Sequence, residues 1–194
     1  MEEPLRNKGT GAGGAKTNRN GKSFEEKTTN EPRLLEAGFI KKRIPGKKGK
    51  FDYYLEREDG PTSSAVYLTQ GGLKSYFAHF FEKEMTRHPD EAYLLRDGDT
   101  YTLKILEKKN QNVEGSADQK LGLGHQLTFE YQECLGDAFK VVYGFCISDF
   151  LKKKYTSTER KYVIMQKYNT TFNIAVLYGD DEDYFTTLDR WIHS

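Results

Sequence analysis

"HPDEAYLLRDGDTYTLKILEKKNQ", residues 88–111, is the stretch whose reading decides the fold. Two runs of strand composition, "EAYLLR" and "TYTLKILEKK", flank Asp97-Gly98, a dipeptide that favours a tight hairpin turn. Side chains alternate along a strand, so Tyr101, Leu103, Ile105, Glu107, Lys109 and Gln111 share one face. That face begins apolar and ends in a carboxylate, a lysine and an amide. The change puts polar groups at the rim of a core, where their fields are strong. The opposite face, Thr102, Lys104, Leu106 and Lys108, reads as an ordinary mixed surface. Lys108 is therefore expected to be an exposed charge that can be replaced cheaply.

Register decides what faces Glu107. With Asp97 and Gly98 alone in the loop, Arg96 pairs with Asp99 and Asp90 falls opposite Ile105. With a loop two residues longer, Asp90 falls opposite Glu107. Both registers bring the two carboxylates to the open end of the hairpin, where they repel unless a cation lies between them. Oxygen ligands without soft donors favour Mg²⁺, for which Mn²⁺ can substitute. Lys109 would stand beside that ion, placed to orient or deprotonate a water or to stabilise charge on a phosphate. The competing reading is plain: hairpin ends also carry Glu and Lys because they are wet.

The remaining chain supplies the setting. Its 194 residues suit one domain with a real core, and 36% hydrophobic and 30% charged content reads as soluble and globular. No apolar stretch reaches the length of a membrane span, and no secretory signal is evident, so an intracellular, cytoplasmic location without membrane contact is expected. Two cysteines, Cys134 and Cys146, make no disulfide framework and read as core thiols. The four histidines show no zinc-ligand spacing with them and read as structural or surface residues, with His88 near the site.

Net charge is only +1, but it is unevenly distributed. "KKRIPGKKGK" (41–50) holds six basic residues and no acid, whereas "DDED" (180–183) is wholly acidic. Local basic patches of this kind suit phosphate contact, and equally suit an ordinary solvated loop. "GTGAGGAKTNRNGKS" (9–23) contains five glycines and resembles a phosphate cradle. Its spacing fails that test: Lys16 follows Ala15, and the position five before Gly21 is Lys16 and not glycine. No nucleotide cofactor is expected. Residues 1–22 read as a flexible Gly-rich basic arm, and 23–194 as a single domain.

Along that domain, Ser23 can cap a short helix carrying Phe24, Glu25 and Glu26. Pro32 interrupts it unless Asn30 caps a second helix, which Gly38 ends. "FDYYLER" and "AVYLT" read as strands, and "LKSYFAHFFEKEM" (73–85) as an amphipathic helix. Ser116 can cap a short "ADQKL" helix, which Gly122 and Gly124 interrupt before a longer segment to Leu135. "FKVVYGFCI" (139–147) and "FNIAVLY" (172–178) read as strands, the second apolar enough to be covered on both faces. "DYFTTLDRWI" places Tyr184, Leu188, Trp191 and Ile192 on one helical face. The expected class is α/β around a central sheet.

Pro89-Asp90 followed by Glu107-Lys108-Lys109 resembles the motif of the PD-(D/E)XK nuclease superfamily. "GTGAGGAKTNRNGKSFEE", "LKILEKKNQNVEGS" and "YGDDEDYFTTLDRWI" are similar to segments of type II restriction endonucleases, and the likeness runs from about residue 9 to 192. The resemblance implies a restriction-endonuclease-like core, with a central mixed sheet flanked by helices. It implies Mg²⁺-dependent hydrolysis of phosphodiesters in double-stranded DNA at a short specific site by a homodimer, whose two-fold symmetry matches a palindromic site. Asp90 and Glu107 would bind the metal and Lys109 would assist the attacking water. A first-helix glutamate is added in many members; Glu26 is the candidate and Glu25 the next. Gln111 matches a position that commonly faces the site. Pro32 in the first helical segment departs from the pattern. In this light, Lys16, Asn18, Arg19, Asn20 and Lys22 of the arm, with Lys47 and Lys48, are the expected DNA contacts. The alternatives are a Holliday-junction resolvase or DNA-repair nuclease of the same superfamily, and a non-catalytic DNA-binding module.

Overall fold

The 88–111 segment forms the hairpin, and it sits at the centre of the molecule. The structure, a computed structural model, describes residues 23–111 and 117–194. In chain order the elements are helix α1 (23–28), α2 (Glu31–Glu36), β1 (Ile40–Arg43), β2 (Tyr53–Gly60), β3 (Ser63–Thr69), α3 (Gln70–Phe80), β4 (Glu91–Asp97) and β5 (Thr100–Lys109). There follow α4 (Ala117–Lys120), a 3₁₀ turn (Leu121–Leu123), α5 (Gly124–Leu135), β6 (Phe139–Ile147), α6 (Asp149–Tyr155), α7 (Arg160–Thr171), β7 (Ala175–Tyr178) and α8 (Tyr184–Ile192).

The seven strands make one sheet whose spatial order is their chain order. β1 to β5 run antiparallel, with α3 carried in the connection between β3 and β4; β6 and β7 are parallel to β5, because helices carry the chain back between them. The molecule is therefore α/β, with a mixed sheet flanked by helices on both faces.

Alternation along the strands divides the core in two. Leu103 and Ile105 of β5 join Leu73, Phe77, Tyr131, Tyr143 and Leu151 on the face covered by α3, α5 and α6. Leu106 turns the other way and joins Phe24, Tyr67, Tyr93, Tyr184, Leu188 and Ile192 under α1 and α8. This second face is not the mixed surface that the sequence predicts. Lys104 is only 1% exposed and Lys108 only 8%. The amphipathic α8 must bury Tyr184, Leu188 and Ile192 somewhere, and it buries them over this face. Lys104 survives burial because its ammonium donates to the Trp191 carbonyl, to the Ser194 carbonyl at 2.7 Å and to the Ser194 hydroxyl at 3.0 Å, capping the end of α8. Burial, then the charge of Lys140, lowers its pKa to about 8.

Other boundaries move for local reasons. Pro32 does not break α1; it lies in the first turn of α2, where its missing N–H costs nothing, and Asn30 is the N-cap residue. Gly38 follows with a φ of 87°. α3 ends at Phe80, short of Met85, because Glu82 turns left-handed with a φ of 55°; Met85 then enters the core from non-helical chain. The segment beginning at Phe172 is a strand only from Ala175, since α7 runs to Thr171 and Asn173 has a φ of 55°. β7 is an edge strand, yet both of its faces are covered as expected: Val176 and Tyr178 pack on one core and Ala175 and Leu177 on the other. α7 escapes the periodicity because it buries only Tyr162 and Asn169, while Ile164 faces solvent.

Candidate active site

The hairpin adopts the second of the two registers. Arg96 pairs with Tyr101 and Asp97 with Thr100, so the tight turn is Gly98-Asp99, one residue later than Asp97-Gly98. Thr100 closes it by donating to the Asp97 carbonyl at 2.6 Å. The ladder runs to Glu91 opposite Leu106, and one further step brings Asp90 level with Glu107. The contact is direct: the Lys108 backbone N–H donates to Asp90 Oδ2 at 2.6 Å.

Asp90 follows a buried proline and is itself largely shielded. Burial, then repulsion from Glu107, raises its carboxyl to about 6; the Lys108 N–H and the Lys109 charge pull the other way, and Glu25 adds to the rise. Lys109 Nζ lies 2.6 Å from Glu107 Oε1, with both side chains mostly buried. Asp90, Glu107 and Lys109 are thus brought together. Tyr131 and Tyr143 have their phenols raised by burial and then by the charge of Glu107. These two rings belong to the core face on which Leu103 and Ile105 lie. Gln111 is held by its backbone: its N–H donates to Ser148 Oγ at 3.3 Å, and that hydroxyl donates back to its carbonyl at 3.1 Å.

A cleft of about 680 Å³ opens beside Asp90 and contains Glu25, Glu26, His88, Glu91 and Lys108 in its lining. Glu26, the first-choice glutamate, lines it, and so does Glu25, whose charge reaches Asp90. α1 is seated by close contact. A Cβ on Gly179 would stand 2.6 Å from the Phe24 ring, 2.7 Å from Cys146 Sγ and 2.8 Å from Thr28, so only glycine lets the helix lie this close to the sheet. Asp180 then accepts from Lys27 Nζ at 2.9 Å and from the Asp149 N–H at 2.8 Å.

The residues that the sequence reading missed are Glu91 and Lys108. Glu91 is 1% exposed and its Oε1 accepts from Lys108 Nζ at 2.8 Å, Thr29 Oγ1 at 3.0 Å, the Asn30 N–H at 3.1 Å and the Tyr67 hydroxyl at 3.2 Å. Its Oε2 accepts from the Tyr93 hydroxyl at 2.7 Å. Lys108 also reaches the Glu25 carbonyl at 3.4 Å. Lys108 is therefore not an exposed charge; it is half of a buried ion pair joining α1 to the hairpin. The available signal was α8: its apolar face required a sheet face to cover.

Two hard carboxylates whose repulsion already raises one of them fit a divalent cation, and Asp90 and Glu107 would hold it. Among the described residues no three His, Cys, Asp or Glu side chains converge as a metal cluster. Mg²⁺ needs few protein ligands, since it keeps several waters and binds substrate phosphate. Cys146 offers no nucleophile: burial first of all pushes its thiol up to about 12. Lys47 and Lys48 are exposed in the turn between β1 and β2; Lys16, Asn18, Arg19, Asn20, Lys22 and Ser116 lie outside the described residues. No helix among the described residues is long and apolar enough to cross a membrane. No family model matches the chain, and no curated protein and no solved structure matches it.

The raised Asp90 carboxyl has a consequence for stability. An acid whose folded pKa exceeds its unfolded value binds more protons when folded, so its contribution falls as pH rises from about 3.8 to about 6. Asp90→Asn keeps an oxygen for the Lys108 N–H and removes the repulsion. Without metal it is expected to melt above the parent at pH 7, with the gap closing towards pH 4. Thermal melts from pH 4 to 8 check this; a parent that stays the more stable at pH 7 contradicts the electrostatic picture.

Proposed function

We propose that this chain is a Mg²⁺-dependent endodeoxyribonuclease with a PD-(D/E)XK, restriction-endonuclease-like core, and specifically a type II restriction endonuclease cutting double-stranded DNA at a short site as a homodimer inside the cell. The observation that carries the reading is the joining of three groups on one hairpin end: Asp90 held by the Lys108 N–H, Glu107 level with it, and Lys109 on Glu107. That set suits phosphoryl hydrolysis better than it suits a wet hairpin end. A solvated pair has no reason to be buried, and Asp90 would not be raised there.

Asp90 and Glu107 would hold the Mg²⁺, which when bound supplies Lewis-acid stabilisation of charge on the phosphate. Lys109 orients the attacking water and stabilises charge gathering on phosphorus. In the overall reaction water adds its oxygen to phosphorus, one P–O ester bond breaks, and the water's proton ends on the leaving oxygen. Glu25 and Glu26 line the cleft that Asp90 shares, to whose lining Glu107 and Lys109 do not contribute, and they would position water near Asp90.

The test is plasmid DNA incubated with the chain in Mg²⁺ and in EDTA. Discrete fragments in Mg²⁺ alone are expected, and Asp90→Ala and Glu107→Ala are expected to abolish them while leaving the fold intact. Preference for branched DNA would make the enzyme a resolvase or repair nuclease. Binding without cutting would leave a DNA-binding module. Full activity in either variant, with Mg²⁺ the only added metal, rules out this site.

A further inference from the structure

We propose that the turn between β1 and β2, residues 44–52, is a built DNA-contact platform in which Phe51 packs against a nucleotide next to the scissile phosphate and Lys47, Lys48 and Lys50 meet the backbone beyond it. The inference rests on the nuclease reading for its substrate, and on the turn's own geometry for its place.

A lysine-rich loop is usually only solvated chain, but this one has a fixed shape. Ile44 is 1% exposed and anchors its base in the core. The Lys47 N–H closes a turn onto the Ile44 carbonyl at 3.2 Å. Asp52 accepts from the Gly49 N–H at 2.9 Å and from Ser75 Oγ of α3 at 2.6 Å, while Arg43 donates to the Gly49 carbonyl at 3.1 Å. The acid of the segment, Asp52, and Arg43 at the end of β1 thus hold its shape. Lys47, Lys48 and Lys50 are exposed, and among the described residues they form no salt bridge.

Phe51 is the second observation. It is 54% exposed, so its ring is open to a contact surface. Its backbone is pressed onto α3: a Cβ on Gly71 would stand 2.5 Å from Phe51 Cβ, so glycine at 71 is needed for the ring to sit where it does. Lys50 Nζ lies 5.4 Å from the ring centre.

The third is continuity. Phe51 and Tyr53 line the cleft that contains Asp90, and they also line a groove of about 410 Å³ walled by Lys41, Lys42, Arg43 and Lys50. A carboxylate cleft, an aromatic ring and a basic groove therefore follow one another on a single surface. A duplex strand matches that order: a phosphate at the metal site, the apolar side of a deoxyribose and a base edge beside it, and further phosphates beyond.

The experiment measures binding of a fluorescein-labelled random-sequence duplex by anisotropy over a range of salt, in an Asp90→Asn background that does not cut. Replacing Lys47, Lys48 and Lys50 together by Ala should flatten the plot of log affinity against log salt by roughly 2–3 units, at about 0.9 per phosphate contact. Replacing Lys140, Arg160 and Lys167, exposed on β6 and α7, should leave the slope unchanged. Phe51→Ala should weaken binding about fivefold or more without altering the slope, as the loss of an aromatic anchor does, and Phe51→Trp should restore it where Phe51→Leu does not. An unchanged slope in the lysine triple, an equal loss in the control triple, or full affinity in Phe51→Ala overturns the proposal. A parent that cuts plasmid while the turn variants bind normally sinks this inference alone. A chain that binds through the turn but cuts nothing sinks the nuclease reading instead.

Discussion

Lys109→Ala is expected to lose about 10²–10⁴-fold in single-turnover cleavage while staying folded and keeping its DNA affinity, because a positioned charge or proton-transfer group is worth that much in the reacting state. The side chain is at the rim, 17% exposed, and its described ion-pair partner is Glu107 at 2.6 Å. Removing it leaves Glu107 beside Asp90 without the compensating cation, so Asp90 should titrate higher still in the absence of metal. Lys109→Arg should recover little, since a planar guanidinium neither shares the ammonium's shape nor gives up its proton. The measurement is single-turnover cleavage at saturating enzyme. A Lys109→Ala protein that cuts at the parental rate would mean that this hairpin end does not perform the chemistry.

The neighbouring lysine should fail in a different way. Lys108→Ala removes one half of an ion pair whose side chains are 4% and 2% exposed, leaving the Glu91 carboxylate buried against two tyrosine hydroxyls, a threonine and a backbone N–H. Breaking such a pair costs about 3–5 kcal/mol, a large share of the ~5–15 kcal/mol that stabilises a domain. The urea midpoint should drop accordingly with an unchanged slope. Glu91→Ala should be at least as damaging, because it also strips Thr29, Asn30, Tyr67 and Tyr93 of their acceptor. Replacing both by Met and Leu should recover only part of the loss, since those four donors remain unanswered. A Lys108→Ala protein within about 1 kcal/mol of the parent would show that the buried pair is not what holds α1 to the hairpin. The two lysines thus separate cleanly: one is expected to cost rate, the other stability.

Much of this was legible in the chain. Alternation over residues 101–109 correctly divided β5, because a strand's side chains have a period of two whatever surrounds them. Asp97-Gly98 announced the hairpin, although the tight turn lies one residue later, and one of the two registers open to the chain is the one observed. Asn30 and Pro32 left two readings open, a broken first helix or a second helix with proline in its first turn, and the structure has the second. The bounds of β6 matched residue for residue, since the nine residues from Phe139 to Ile147 form one mostly apolar run.

Local pattern carries no information on which surface covers which. Lys104 and Lys108 look like solvent-facing residues in every window short enough to read by periodicity, yet α8, some eighty residues later, lies over that face and turns both into buried cations. The partner of Lys108 is 17 residues away and the carbonyls that Lys104 caps are 87 and 90 away. α7 and the late start of β7 were hidden for a related reason: a helix burying two residues shows little amphipathic stripe, and its end is set by a left-handed Asn173. The sequence by itself thus determined strands β2 to β6, the hairpin and the identity of Asp90, Glu107 and Lys109 as its polar end, since those follow from backbone periodicity and turn chemistry; β1, four residues inside a basic stretch, shows no such pattern. Only the tertiary structure decided that Asp90 is shielded enough to be raised, that Glu25 faces it, and that Lys108 is structural, because burial is made by elements packing from far along the chain.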